Sequence, residues 1–142
     1  VAWRRNKDPL FRGDSAAGVS TPDPSSSTGI VAHILYLGGA GRRTPFHSAS
    51  ESEDTALYFA GLDGKVYRTH VRVAEDHAVH HIGQQELLRV LRGKGFGRAK
   101  WGSALEVMQA RRYVEQWAEH LLDFSDVPPE EAGRTAAALY AP

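Results

Sequence analysis

A change of hydrophobic period at Ser103 sets the tightest limit on what this chain can fold into. Before that point apolar residues come in short runs cut by Gly, Pro and Asp; after it Val107, Ala110, Val114, Trp117 and Leu121 recur at steps of three and four. Short, bounded runs build strands and small helices, whereas the three-to-four step builds an amphipathic helix with one buried face. The order predicts an α+β domain: a small mixed sheet first, then a helical segment appended at the C-terminal end. Ser103 with Glu106 is a capping box that starts the long helix. Pro128, Pro129, Glu130 and Glu131 open a final Ala-rich helix, with proline in its first turn and carboxylates at the positive end of its dipole. With 142 residues the chain makes a single domain, with a core over 9–92 and a helical extension over 103–140.

Within the first part, Pro9 to Gly13 reads as a short strand, and residues 14–29 are crowded with turn formers that bury little, so they form a long loop. Ile30 to Leu37, interrupted by His33, fits either helix or strand. Pro45 to Ser50 is extended and leads into a helix from about 52 to 60, acidic at its front and ended by Gly61. Asp63 and Gly64 make a turn into a strand over Lys65 to Val73, whose β-branched and aromatic residues alternate. Ala74 to His77 then reads as a polar turn, Val79 to Glu86 as a further strand, and Leu87 to Leu91 as its apolar continuation. Gly93 to Gly97, with three glycines, is a flexible loop.

Seventeen Lys and Arg balance seventeen Asp and Glu, which removes the overall positive field of a protein that grips nucleic acid through phosphates. Arg89 to Lys100 is the one concentrated basic stretch, and Gly93 to Arg98 has backbone donors and cations for a phosphate but matches neither a P-loop nor a dinucleotide fingerprint, a mobile linker being the plain reading. The absence of cysteine excludes disulfides, thiolate metal sites and a cysteine nucleophile. No apolar run approaches the ~18 residues of a membrane span. The first six residues contain no Met and no apolar signal core, as expected of a piece of a longer chain. Among the seven histidines, His77, His80 and His81 cluster. His80 and His81 would face opposite sides of a strand, so loop and edge histidines are the plain reading, with acid/base chemistry as the rival.

A third constellation is ordered along the chain rather than clustered. Arg12 ends the first strand, Ser48-Ala49-Ser50 lies on a strand leading into a helix that ends Leu57-Tyr58-Phe59-Ala60, and Gln84-Gln85-Glu86 sits on a later strand. On a strand Gln84 and Glu86 share a face, so an amide and a carboxylate can reach one substrate. An Arg offers a bidentate grip on a diphosphate, and a neighbouring hydroxyl can tie the carboxylate in place. The plain alternative is a salt-bridged Arg12, helix-entry serines and an exposed 84–86 face.

This order resembles that of the ADP-ribosyltransferase toxins: a strand-one Arg, a Ser-Thr-Ser strand followed by a helix, then Gln-x-Glu or Glu-x-Glu, over roughly residues 9 to 90. The middle hydroxyl is replaced here by Ala49. The resemblance implies a bacterial effector, secreted or delivered into a target cell, that cleaves NAD and transfers ADP-ribose. On that basis Glu86 would stabilise the oxocarbenium-like ribose, Ser48 would orient it, Arg12 and Ser50 would bind the dinucleotide, and Tyr58 or Phe59 would pack on nicotinamide. Gln84 would face the acceptor, and Gln at this place goes with acceptors other than arginine, such as an amide side chain or a nucleobase. No metal is implied; an acceptor protein or nucleic acid and an inhibitor (immunity) protein are the implied partners, with no membrane. A NAD glycohydrolase, a histidine- or metal-dependent nuclease, and a non-enzymatic adaptor docking through the Trp117 helix face are the alternatives.

Overall fold

The bounded apolar runs of the first hundred residues and the capped helix after them come together in one antiparallel sheet with helices on both faces, in a computed structural model that describes residues 8–39 and 41–140. The reading of the first six residues lies outside the described residues. In chain order the elements are β1 (Leu10–Ser15), α1 (Ile30–Ile34), β2 (Phe46–Ser50), α2 (Glu53–Ala60), β3 (Gly64–Thr69), α3 (Val71–Asp76), β4 (His80–Ile82), α4 (Gln84–Val90), α5 (Ala104–Trp117), β5 (Glu119–Asp123) and α6 (Ala132–Leu139). Single 3-10 turns occupy 97–99 and 129–131. The strand order is β3-β1-β2-β5-β4.

The architecture is α+β, as the change of period implies, but three expectations are corrected. The sheet is not mixed, since every strand pair is antiparallel. Strand character is lost earlier than alternation suggests: β3 ends at Thr69 and Val71–Asp76 is helical, and β4 stops at Ile82 so that Gln84–Val90 forms α4. Nor is the C-terminal part an appendage. The helix stops at Trp117, and β5 enters the sheet between β2 and β4.

Each face of the sheet carries its own core. On one, Phe46, Leu121 and Ile82 meet Ile30 and Val31 of α1, Leu87 of α4, and the buried stripe Val107, Ala110 and Val114 of α5. On the other, Tyr67, Leu122 and Phe124 pack with Ala74, Val79, Ala136, Leu139 and Tyr140. Full burial of a large aliphatic side chain contributes roughly 1.5–3 kcal/mol, so both stripes stabilise the sheet they cover. Helix α2 lies hard against β1 and β3. A Cβ at Gly13 would sit 2.0 Å from the Ala56 carbonyl oxygen, and one at Gly64 2.0 Å from that of Ala60. Only glycine permits this approach.

Pairing is uneven across the sheet. β1 and β3 are matched over six residue pairs and β2 and β5 over five, whereas β1 meets β2 at the single pair Phe11↔Ser50. Beyond that pair the two central strands separate, and the opening between them is where the site lies.

Candidate functional site

A cavity of about 1080 Å³ occupies this opening, lined from the β1 side by Arg12 and Asp14, from the β2 side by Ser48 and Ser50, from β5 by Glu119, from α1 by His33, and from the connecting segments by Ser20, Tyr36 and Arg42. That volume is just above the ~300–1,000 Å³ usual for small-molecule sites, large enough for a dinucleotide.

A hydrogen-bonded chain leads into the cavity wall. The Ser48 hydroxyl donates to Glu119 Oε2 at 2.7 Å, His33 Nε2 lies 2.8 Å from the Ser48 oxygen, and His33 Nδ1 lies 2.8 Å from Thr44 Oγ1. A hydroxyl has one proton to give. With that of Ser48 on the carboxylate, His33 Nε2–H must donate to Ser48 and Nδ1 must accept from Thr44, which fixes the neutral tautomer. Burial pushes the His33 ring well below its ordinary pKa, with the charges of Arg42 and Arg12 adding to it, so the ring is neutral. Burial pushes the Glu119 carboxyl the other way, up to about 7, against the Ser48 hydrogen bond and the Arg42 and Arg12 charges, which favour ionisation. A buried carboxyl raised by desolvation at the wall of a cleft makes Glu119 a candidate functional group.

Local structure explains why Glu119 arrives there. Ser50 Oγ donates to the Trp117 carbonyl at 2.6 Å, tying the end of α5 to β2. Ala118 takes the left-handed conformation at φ 46°, which turns the chain from helix to strand at that tether. Cross-strand pairing of Ser50 with Glu119 then sets the carboxylate diagonal to Ser48 on the same face.

Arg12 is braced in place. Its Nε and Nη2 contact Asp14 Oδ2 at 2.9 and 2.8 Å, Nη2 also reaches Ser20 Oγ at 3.0 Å, and Nη1 donates to the Ser48 carbonyl at 2.9 Å, across the gap between β1 and β2. The long 14–29 loop is therefore part of the wall rather than a free flap: the Ser20 N–H and hydroxyl both donate to Asp14, and the Ser20 carbonyl accepts from His47. Aromatic rings form the opposite rim. Tyr58 stacks on Trp117 with centroids 5.4 Å apart and planes at 15°, and Phe59 meets Trp117 edge-on at 5.1 Å.

The structure thus brings together Arg12, Ser48, Ser50, Tyr58 and Phe59 of the residues expected from sequence. It does not bring Gln84 or Glu86. On α4 residues two apart diverge, so Gln84 turns inward, donating to the Val114 carbonyl at 3.1 Å, while Glu86 is exposed beside a separate hollow of about 260 Å³ with His80, Arg89 and Arg98. Ser50 uses its hydroxyl on Trp117 rather than on a ligand. His77 donates to the Val73 carbonyl, His80 is exposed, and His81 pairs with His120, whose Nε2 contacts Glu51. Among the described residues no cluster of His, Asp and Glu could hold a metal ion, and no helix is long and apolar enough to cross a membrane. Within the basic stretch, Arg98 is paired with Asp123.

Sequence reasoning missed Glu119, His33 and Thr44. One signal was available for His33, the only polar interruption of an apolar run. No protein-family model matches the chain, and neither a curated protein nor a solved structure matches it.

Proposed function

We propose that the chain cleaves the nicotinamide–ribose bond of NAD and passes ADP-ribose to an acceptor, with Glu119 in the role first expected of Glu86. The observation that carries this reading is the 2.7 Å bond from Ser48 to Glu119 at the wall of a cavity shared with Arg12. It supplies, from β5, the carboxylate that the Arg and Ser-x-Ser strands call for. In this reaction the C1′–N bond breaks, its electron pair leaves with neutral nicotinamide, and the ribose carries positive charge until the acceptor attacks C1′ and loses its proton. The ionised Glu119 carboxylate stabilises that charge electrostatically more strongly in the transition state than in the bound substrate. Ser48 holds the carboxylate, neutral His33 holds the Ser48 hydroxyl pointed at it, and Arg12 holds the β2 backbone. The Tyr58, Phe59 and Trp117 rings offer a surface for the nicotinamide ring.

The expectation of a non-arginine acceptor rested on Gln84, which lies outside the cavity. The residue two before Glu119 is Trp117, whose indole has no oxygen to accept from a guanidinium. That favours water, or a group other than arginine, as the acceptor. Release of nicotinamide from NAD by the intact chain, lost in Glu119→Gln and kept in Glu86→Ala, tests the reading; no release by the intact chain ends it.

A further inference from the structure

Among the described residues two arginines line the cavity, and their surroundings differ in kind. Of the five N–H groups of Arg12, three are hydrogen-bonded, to Asp14, Ser20 and the Ser48 carbonyl, and its charge is matched by the Asp14 carboxylate. Arg42 is half-buried and, among the described residues, has no carboxylate within ion-pairing distance. Only Nη1 is engaged, by the carbonyls of His33 at 2.8 Å and Ala32 at 3.4 Å at the end of α1. The guanidinium lies over the Tyr36 ring at 4.2 Å from its centroid, which fixes its plane. Its neighbour Arg43 is exposed and paired with Asp23 at 2.8 Å, outside the cavity lining.

A partly desolvated cation with a fixed plane, free donors on Nε and Nη2, and no carboxylate in contact, Glu119 acting on it only from a distance, is built for an anion that arrives from outside. We infer that Arg42, seated on Tyr36, binds the diphosphate of the dinucleotide, and that Arg12 is a strut holding β1 to β2. The assignment rests on the proposed function for the choice of dinucleotide, but the anion site itself is tested without catalysis. The strand-one arginine positions the site, and a loop arginine recognises the phosphates.

The test is titration of the intact chain with inorganic pyrophosphate, ADP-ribose and nicotinamide, by calorimetry and by NMR of the arginine Nε–H signals. The expected result is that the Arg42 signal moves with pyrophosphate while that of Arg43 stays. Arg42→Gln should weaken pyrophosphate and ADP-ribose binding roughly tenfold to a hundredfold, with nicotinamide binding unchanged. Arg42→Lys, which keeps the charge but not the fork, should fall between. A wild-type Arg42 signal that ignores pyrophosphate, or an Arg42→Gln chain that binds it as the wild type does, overturns the inference. The wild-type signal is decisive even where the Gln variant does not fold. If pyrophosphate binds through Arg42 and NAD is not cleaved, the anion site stands and the proposed function falls. If NAD is cleaved and Arg42→Gln keeps the wild-type KM, the reverse holds.

Discussion

His33 and His47 invite comparison because they are alike in almost everything except where their hydrogen bonds end. Both are buried, at 4% and 2% exposure, and burial holds both rings well below their ordinary pKa. Each accepts a hydroxyl proton at Nδ1 and donates from Nε2. For His47 the partners are the Tyr140 hydroxyl at 2.9 Å and the Ser20 carbonyl at 2.7 Å, and the ring packs edge-on against Phe124 at 4.8 Å. That chain ends on a backbone carbonyl, in the Ser20 segment that braces Asp14 and Arg12 at the cavity wall. For His33 the chain continues through Ser48 to a carboxylate at the cavity wall. Under the proposed function, a neutral buried histidine bears on the reaction according to the group at the end of its chain, not according to its burial.

The sharpest way to break this contrast is to remove the terminal group. Glu119→Gln keeps the shape and one oxygen for Ser48, and should cut nicotinamide release by roughly a hundredfold to a thousandfold, the scale of losing one preorganised electrostatic partner. A loss below about tenfold would leave the His33 chain without its function. Next come the histidines themselves. His47→Ala should lower stability by about 3 kcal/mol in urea unfolding, through a core cavity and the stranded Tyr140 and Ser20 groups, with activity of the folded fraction within a few-fold of wild type. His33→Ala should reduce activity roughly tenfold to a hundredfold by freeing the Ser48 hydroxyl to turn away from Glu119. Equal kinetic damage from both would erase the distinction.

Protonation separates the two ends of the His33 chain. Glu119 is raised from 4.5 to about 7, so its contribution to stability is complete below pH 4.5 and is lost as pH rises through about 7. The difference amounts to on the order of 3 kcal/mol. The histidines act in the opposite sense: their folded pKa values are depressed, so the stability they contribute is present above 6.5 and lost as pH falls below it. Melting temperature should rise from acid pH and level off near 7, and Glu119→Gln, by removing an opposing loss spread between 4.5 and about 7, should steepen that rise. Nicotinamide release should rise with pH around 7, as the carboxylate ionises, and Ser48→Ala should move that midpoint upward because the Ser48 bond favours the ionised form.

Much of one half of the site was legible. Arg12 and Ser48 sit in short apolar runs bounded by Gly13 and by Pro45, where period-2 reasoning works, and the Tyr58–Phe59 end of α2 follows from the acidic start and Gly stop of that helix. The carboxylate was hidden by a coincidence of spacing. Leu121 falls four residues after Trp117 and so prolongs the helical stripe past the true end of α5, while the left-handed Ala118 carries none of the Gly or Asn signal that marks such a stop. The same ambiguity misplaced Glu86. His80 to Leu91 is too short and evenly polar for periodicity to show that Gly83 divides a three-residue strand from a helix. His33 was visible only as a break in an apolar run, because its role depends on Thr44 and Ser48, eleven and fifteen residues away.

The smallest expected effects come from the hydroxyls that feed the two rings, and they make a matched pair. Tyr140→Phe removes the proton given to His47 Nδ1, and Thr44→Val removes the one given to His33 Nδ1. Each leaves a buried imidazole nitrogen without a donor, a cost of about 1–2 kcal/mol in unfolding experiments. Their kinetic consequences should part company. With the Tyr140 hydroxyl gone, His47 still donates to the Ser20 carbonyl, so Ser20 should keep its bonds to Asp14 and Arg12 at the cavity wall and nicotinamide release should be unchanged. With Thr44 gone, His33 loses the partner that selects its Nε2–H tautomer; a fraction of molecules places the proton on Nδ1, where Nε2 competes with Glu119 for the Ser48 hydrogen. Release should fall a few-fold, most visibly above pH 7 where Glu119 is ionised and needs that hydrogen. If Tyr140→Phe slows the reaction as much as Thr44→Val does, the two chains are coupled through the adjacent positions 47 and 48 of β2, and the strand rather than the tautomer transmits the effect.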